Sequence, residues 1–206
     1  MTAVQDGLRD ERIACLRREG IAARNALGAE ERARRSAAAA ELIASSDEFA
    51  GAGTVMIYDA VRGELSLAPL LEHPAAAGKR FVYPLCVSRA EMKAYVPGAW
   101  KRGAFGIREP DPEQSEEIDP SGIDLVICPC TVFDEAGNRI GMGAGYYDRF
   151  LPQCSRAAVM AAAFEAQKAP AIPAQPWDRP VGAVVTESRI YRTGRSAYSP
   201  SSLTKA

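Results

Sequence analysis

Short apolar runs rich in β-branched residues alternate with helical stretches along most of this chain. Each run is bounded by glycine, proline or polar residues, and runs of roughly four to eight residues are typical of buried strands. The runs are TVMIYDA (54–60), KRFVYPL (79–85), EMKAYVPG (91–98), IDLVICP (123–129), AAVMAAAF (157–164) and VGAVVTE (181–187). This alternation predicts an α/β fold with a mostly parallel sheet flanked by helices. We expect 91–98 to be partly exposed and 181–187 to be the last strand.

Two helices are predicted ahead of the first strand, within residues 8–46. An apolar stripe runs along the first helix, and Gly28 interrupts it. Glu30 and Glu31 follow in a new first turn, where the helix dipole favours anions. The sequence therefore predicts a helix boundary at Gly28.

The other connections are predicted from their composition. A short helix is expected over 67–78, and another from the tyrosine pair that follows the last glycine-rich stretch to about residue 155. Proline and acidic residues predict a surface loop over 104–122. We expect one domain over residues 1–192, followed by a disordered tail at 193–206 that is rich in serine.

Charge and composition exclude several classes of partner. The formal net charge is −1, so no overall field favours nucleic acid or an anionic membrane. No run approaches the roughly 18–20 apolar residues of a membrane span, and no apolar signal core is present. The five cysteines are an odd number, which favours free thiols in a reducing compartment. We therefore expect a cytoplasmic protein without nucleic-acid or membrane partners.

A glycine-rich loop, RIGMGAGYYDRFL (139–151), follows the most hydrophobic predicted strand. Ligands of open α/β sheets bind beyond the carboxyl ends of the strands, where this loop lies. Gly141, Gly143 and Gly145 permit positive φ and leave backbone N–H groups accessible to an anion. The spacing matches neither a P-loop nor the dinucleotide fingerprint. The pattern therefore favours a phosphate-binding loop of another kind.

Charged residues flank this loop on both sides. The guanidinium of Arg139 supplies a planar fork for phosphate. Asp148 is a carboxylate beside the expected phosphates, which implies a bridging Mg²⁺. The alternative is a glycine-rich turn with packed tyrosines and a surface pair between Asp148 and Arg149.

Residues 133–151, FDEAGNRIGMGAGYYDRFL, resemble the signature of the 5-formyltetrahydrofolate cyclo-ligase family, also called methenyltetrahydrofolate synthetases. The resemblance extends over roughly residues 11–190. Supporting segments are Leu16-Arg17 with LGAEER, YDAVRGELSLAPLL, AFGIREP, DLVICP, AFEAQ, Asp178 and VVTE. The resemblance implies a fold like that of ribose-5-phosphate isomerase and the CoA transferases, with an N-terminal helical hairpin.

The same resemblance implies the reaction and its substrates. In this family 5-formyltetrahydrofolate and ATP give 5,10-methenyltetrahydrofolate, ADP and phosphate, with Mg²⁺. Phosphorylation turns the oxygen of the formyl amide into a leaving group, and N10 then closes the ring. We expect a folate substrate with or without a polyglutamate tail, and a monomer or weak homodimer.

The resemblance assigns roles to residues at matching positions. The expected catalytic residues are Arg139, Tyr147 and Asp148. The expected ATP contacts are Arg12, Arg17, Arg139, Gly141, Met142, Gly143, Ala144, Gly145 and Tyr146. The expected substrate contacts are Asp59, Glu64, Phe105 and Tyr147, and the expected Mg²⁺ ligands are Asp148 and Asp178. Structural alternatives are a helix cap for Glu64, a core position for Phe105 and a turn for Asp178.

The chain departs from the family pattern at five positions. Ile13 replaces a lysine and Leu67 a threonine, Met142 and Ala144 replace residues that are often basic, and Trp177 replaces a histidine. These changes weaken phosphate contacts rather than metal contacts. They leave open a non-catalytic relative that binds folate or a nucleotide, and an enzyme of the same fold acting on another anionic substrate.

The missing lysine raises a specific question about the first helix. No lysine occurs before residue 79, so an arginine must replace the lost contact or the contact is absent. We expect Arg12 to be the substitute because its side chain is long.

Overall fold

In the computed structural model, which describes residues 3–103, 107–174 and 178–194, strands and helices alternate along most of the chain. The strands are β1 Thr54–Met56, β2 Arg80–Cys86, β3 Met92–Val96, β4 Trp100–Arg102, β5 Arg108–Pro110, β6 Glu116–Ile118, β7 Leu125–Pro129, β8 Val132–Phe133, β9 Arg139–Ile140, β10 Ala158–Ala162, β11 Ala183–Val185 and β12 Ile190–Arg192. The helices are α1 Ala3–Ala26, α2 Ala29–Ala44, α3 Asp47–Ala50, α4 Ala68–Glu72 and α5 Tyr146–Phe150.

An eight-stranded sheet organises these elements in the order β12-β11-β10-β7-β1-β2-β3-β6. The five strands from β11 to β2 are parallel, and the strands at both edges are antiparallel. Four of the five residues of β7 are buried, as expected for a central strand covered on both faces. The predicted mostly parallel sheet flanked by helices is confirmed.

Two apolar layers cover the sheet. On one face Ile43, Phe49 and Leu70 from the helices pack against the strands. On the other face Phe150 and Leu151 pack around α5. A third, smaller cluster of Leu16, Val132, Ile140 and Ile172 joins α1 to the segments that follow β7, so α1 is held against the loops at one end of the sheet.

The N-terminal helices agree with the predicted boundary, since Gly28 has an extended conformation and directly precedes α2. The helix predicted over 67–78 is shorter, because α4 ends at Glu72 and a 3₁₀ turn begins at Pro74. Proline lacks the N–H that would continue the helix. The helix predicted to residue 155 likewise ends at Phe150, and a 3₁₀ turn over Leu151–Gln153 follows.

Two predictions about strands were wrong. Residues 104–122 were expected to form a loop, but β5 pairs with β4, and β6 pairs with β3 at the edge of the main sheet. VGAVVTE is not the last strand, because β12 pairs with β11. β5 and β6 are three residues long and mostly charged, and β12 is the three-residue segment IYR, so tertiary pairing rather than a longer apolar run selects these strands.

Some predictions concern residues outside the described ranges. Phe105, Trp177 and most of the predicted tail, from residue 195 onward, are among them. Among the described residues, no helix combines the length and the apolar character required to cross a membrane.

Candidate active site

A cavity of about 900 Å³ opens beyond the carboxyl ends of the central strands. Tyr58 follows β1, Ser88 follows β2, and Thr131 follows β7, and all three line it. The glycine loop and one side of α1 complete its walls. The cavity therefore lies at the edge of the sheet where parallel α/β folds bind ligands.

The three glycines of the loop have different backbone roles. Gly143 and Gly145 have φ values of +102° and +66°, and Gly145 directly precedes α5. Gly141 is not among the positive-φ glycines, so of the three only Gly143 and Gly145 use the conformation that glycine permits. A Cβ at Gly141 would meet no atom within 4 Å.

Arg17 reaches the glycine loop from α1. Its Nε donates a hydrogen bond of 2.9 Å to the carbonyl oxygen of Gly141. Its Nη2 lies 3.6 Å from the position that a Cβ would take at Gly143. The guanidinium therefore lies against the loop where the sequence predicted phosphate contacts.

Arg139 and Asp148 form an ion pair at the base of the loop. Nη2 of Arg139 donates a 2.9 Å hydrogen bond to Oδ1 of Asp148, and the arginine side chain is 5% exposed. Burial opposes the charge of Arg139, but the neighbouring Cys128 and Asp148 outweigh it, so the pKa of Arg139 is raised. Asp148 therefore pairs with Arg139 and not with Arg149, the partner that the alternative interpretation of a surface pair would require.

Arg149 instead ties the glycine loop to the turn between β2 and β3. Its side chain donates hydrogen bonds of 2.7 Å to the carbonyl oxygens of Ala144 and Ala90. Tyr146 makes the same connection, because its hydroxyl donates to the carbonyl oxygen of Ser88 at 2.9 Å. The sequence analysis missed this connection, since the two segments lie about sixty residues apart.

Glu64 and Asp59 also line the cavity. Oε2 of Glu64 accepts a 3.1 Å hydrogen bond from the N–H of Val61, and burial raises the pKa of Glu64. The suggested cap for α4 is not formed, because Leu67 at that helix start makes no side-chain cap. Asp59 accepts a 3.2 Å hydrogen bond from Nε of Arg108, and both carboxylates therefore have cationic neighbours.

Tyr147 is partly buried and also lines the cavity. Desolvation raises the pKa of its hydroxyl well above the usual value, and the same holds for Tyr58. Both side chains therefore remain neutral at physiological pH. They offer flat rings and neutral hydroxyls to a ligand.

The structure does not bring Arg12 to the cavity. Arg12 is exposed on α1, whereas Ile13 and Arg9 line the cavity wall. Arg12 and Ile13 differ because adjacent residues on a helix point about 100° away from each other. Met142 and Ala144 do line the cavity, and Met142 is half exposed. Leu67, another position that departs from the family pattern, is buried and is not among the cavity-lining residues.

Additional arginines line the cavity that the sequence analysis did not select. They are Arg9, Arg62, Arg89 and Arg108. The sequence signal that could have found them is the prevalence of arginine among the basic residues, since the chain has few lysines. With Arg17 and Arg139, they make the cavity suitable for a ligand with several negative charges.

The two aspartates proposed as metal ligands, Asp148 and Asp178, both line the cavity. Within the described ranges, no three His, Cys, Asp or Glu side chains are grouped as a metal-binding cluster. Mg²⁺ bound with a nucleotide ordinarily uses one or two carboxylates together with phosphate oxygens and water. The donor set therefore fits an ion that arrives with phosphates, with one oxygen of Asp148 engaged by Arg139.

The fold and the cavity define an α/β protein with an arginine-lined cavity beyond the carboxyl ends of its parallel strands. Residues 9–187 match the 5-formyltetrahydrofolate cyclo-ligase family. The chain belongs to that family, which confirms the resemblance in the glycine loop.

Individual relatives agree with this membership. The chain is 33% identical over 147 residues to the 5-formyltetrahydrofolate cyclo-ligase of Escherichia coli K12. The match covers 68% of this chain and 81% of the relative. The chain is 31% identical over 144 residues to that of Mycolicibacterium smegmatis, covering 66% and 74% of the two chains.

Solved structures agree as well. The NMR structure of the Aquifex aeolicus 5,10-methenyltetrahydrofolate synthetase superposes with a TM-score of 0.77 at 31% identity, over 93% of this chain and 98% of that one. A 5,10-methenyltetrahydrofolate synthetase from Mycoplasma pneumoniae gives a TM-score of 0.70 at 24% identity, over 85% and 98%, which shows a shared fold.

Proposed function

We propose that this protein is an enzyme that converts 5-formyltetrahydrofolate and ATP into 5,10-methenyltetrahydrofolate, ADP and phosphate. The observation that carries the proposal is the placement of two unlike sites in one cavity. The glycine loop with Arg17 and the Arg139–Asp148 pair lines the same cavity as the buried carboxylate of Glu64. The names of the relatives support the same reaction.

The geometry suits a reaction in which the protein positions its substrates. The formyl oxygen attacks the γ-phosphorus of ATP, the bond from that phosphorus to the bridging oxygen breaks, and ADP leaves. N10 then attacks the activated carbon, its N–H proton is released to solvent, and phosphate leaves with the former formyl oxygen. Arg17 and Arg139 are placed to stabilise charge on the phosphoryl group, and such electrostatic stabilisation is the main need of phosphoryl transfer.

Asp148 and Asp178 are the proposed ligands for a Mg²⁺ that accompanies ATP. When bound, the ion would neutralise phosphate charge during transfer. The role of Arg139 is to hold one carboxylate oxygen of Asp148 and thereby orient the other toward the cavity.

A spectroscopic assay tests this proposal. Purified protein is mixed with 5-formyltetrahydrofolate, ATP and Mg²⁺, and the near-ultraviolet absorbance of the methenyl product is followed. Turnover with one ADP formed for each methenyl product supports the reaction. Folate or nucleotide binding without turnover identifies a non-catalytic relative, and absence of both identifies an enzyme for another anion.

Asp148→Asn provides the matched variant for this assay. It preserves the size of the side chain but weakens both the bond to Arg139 and any metal ligation, so we expect kcat to fall by about 100-fold or more. Unchanged turnover at limiting Mg²⁺ would remove Asp148 from the mechanism.

Several finer features belong to the same proposal. We propose a fold like that of ribose-5-phosphate isomerase and the CoA transferases, with α1 and α2 as a helical hairpin and a single domain over residues 1–192. We further propose a cytoplasmic monomer or weak homodimer without nucleic-acid or membrane partners. Its folate is proposed to be accepted with or without a polyglutamate tail, because arginines surround the cavity.

A further inference from the structure

A buried arginine behind the cavity wall has no role in the chemistry described above. Arg24, near the carboxyl end of α1, is 1% exposed and is among the largest fully buried side chains. Its Nη1 lies 3.8 Å from Oε1 of Glu64, whose side chain is 11% exposed. Neither Nε nor Nη1 of Arg24 hydrogen-bonds to a described residue. A buried cation in such a position is unfavourable for folding unless it interacts with an opposite charge.

Glu64 is the group that this charge faces. The other titratable groups near it come from three further elements and are Tyr58 after β1, Cys130 after β7, Tyr147 in α5 and the adjacent Arg62. Burial raises the pKa of the two tyrosines and of the cysteine, so these three are neutral. Positive charge comes only from the two arginines among these neighbours.

Arg62 and Arg24 differ in exposure, and their charges therefore act on Glu64 with different strength. Arg62 is exposed, so water and salt screen its charge. Arg24 is buried, and a charge in a low-dielectric interior acts more strongly over the same distance. Arg24 is therefore the main counter-charge to the desolvation of Glu64.

Glu64 retains acceptor capacity for a ligand in the cavity. Oε2 accepts one hydrogen bond, from Val61, and each carboxylate oxygen can accept two. Glu64 lines the cavity, so a ligand can reach it. An ionised carboxylate accepts a pair of parallel N–H groups, and the amino-pyrimidinone edge of a pterin presents such a pair. A protonated carboxyl would lose part of that acceptor capacity.

We propose that Arg24 is a positioning residue that keeps Glu64 ionised and oriented for the N–H edge of the pterin ring. The identity of the ligand rests on the function proposed above, whereas the control of charge by Arg24 does not. Arg24 touches neither reactant, and its effect passes through Glu64.

The first test follows the ionisation of Glu64 in the free protein. Carboxyl ¹³C signals are titrated by NMR in the wild type, Arg24→Met and Arg24→Lys, and the Glu64 signal is assigned by its loss in Glu64→Gln. We expect the midpoint to move to higher pH in Arg24→Met and to stay near the wild-type value in Arg24→Lys. An unmoved midpoint in Arg24→Met overturns the proposal. If Arg24→Met does not fold, Arg24→Gln takes its place, with the same two outcomes.

The second test connects this charge to substrate. In Arg24→Met we expect the KM for 5-formyltetrahydrofolate at pH 7 to rise about tenfold, the effect of one lost charge-assisted hydrogen bond. The KM should recover at higher pH, where Glu64 ionises again, and the KM for ATP should stay within about twofold. In a Glu64→Gln background, Arg24→Met should have no further effect on the folate KM. The proposal is contradicted if the rise in the folate KM does not depend on pH, or if Arg24→Met still raises that KM in the Glu64→Gln background.

Arg35→Met is the matched control. Arg35 pairs with Glu31 and Glu187, and it does not line the cavity. It should lower the melting temperature without moving the Glu64 midpoint or the pH profile of the folate KM. The NMR titration uses no folate, so it decides the role of Arg24 even if the cyclo-ligase assay shows no turnover. In that case only the proposed substrate fails.

Discussion

Backbone conformation decides what single residues of the glycine loop contribute. Gly143 has a φ of +102°, which L side chains rarely adopt, whereas Gly141 has no positive φ and an open Cβ position. The two glycines lie in one loop and differ mainly in this respect. Conformational strain can therefore be separated from the added volume of a methyl group.

Gly143→Ala should strain the loop, and Gly141→Ala should not. Forcing a non-glycine residue into such a conformation costs on the order of 1–3 kcal/mol, so we expect a lower melting temperature and a KM for ATP raised about tenfold in Gly143→Ala. Thermal unfolding and initial rates measure both effects. Equal melting temperatures for the two variants would show that the loop carries no strain at Gly143.

Three neighbouring residues of α1 face different surroundings. Arg17 donates to the carbonyl oxygen of Gly141 at 2.9 Å, Ile13 lines the cavity, and Arg12 is exposed. Arg12 therefore lies outside the cavity and Arg17 contacts the glycine loop, and two single variants test which of them replaces the missing lysine.

Arg17→Met should raise the KM for ATP by about tenfold or more, because a charge-assisted contact to the loop and to phosphate is lost. Arg12→Ala should change it by less than about twofold, because an exposed side chain outside the cavity contributes little. The initial rate as a function of ATP concentration measures both variants. A large effect of Arg12→Ala would place the nucleotide outside the cavity.

At the scale of elements, close packing holds α1 against the segment after β7. A Cβ at Gly20 would lie 2.1 Å from the carbonyl oxygen of Thr131 and 2.5 Å from Cγ2 of Val132. Only glycine permits this approach, which brings the helix bearing Arg17 and Arg24 to the cavity wall.

Gly20→Ala should destabilise the protein by about 1–3 kcal/mol, as an overpacked interface does, and it should also lower nucleotide affinity. Gly7→Ala is its matched control in the same helix, because a Cβ there meets nothing within 4 Å. Alanine is a better helix former than glycine, so Gly7→Ala should leave the stability unchanged or slightly increased. Denaturant unfolding measures both changes. Equal destabilisation by the two substitutions would contradict the tight contact.

At the scale of the whole molecule, ion pairs and capping interactions govern the response to acid. Hydrogen bonds from Arg34 and Arg35 lower the pKa of Glu31 to about 2. Desolvation opposes the lowered pKa of Asp124, but backbone bonds from Thr54 and Gly53 and the charge of Arg156 outweigh it. The pKa is also lowered at Glu48, Glu117, Asp119 and Glu135.

A carboxylate whose pKa is lower in the folded state stabilises the protein above its unfolded pKa and loses that contribution as the pH falls. We therefore expect the melting temperature to fall between pH 4.5 and about 2. Burial raises the pKa of Glu64 and Glu109, so these two groups add stability as the pH falls toward 4.5, above the range in which the melting temperature falls. Asp124→Asn should flatten the profile. A constant melting temperature over this range in the wild type would contradict these assignments.

Local patterns in the sequence predicted the central strands, the boundary at Gly28 and the position of the glycine loop. They succeeded because a buried parallel strand requires a short apolar run and a loop with positive φ requires glycine. They failed for β5, β6 and β12, since these strands carry no such run and form only when a partner strand is present.

The sequence by itself determined the central strands, the helix boundary at Gly28 and the place of the glycine loop after β7, because each depends on neighbouring residues. Only the tertiary structure decided which charges meet. Asp148 pairs with Arg139 rather than the adjacent Arg149, and Arg24 faces Glu64, forty residues further along the chain. Such contacts depend on sheet register and on how closely α1 approaches the loop, and neither is encoded within a single segment.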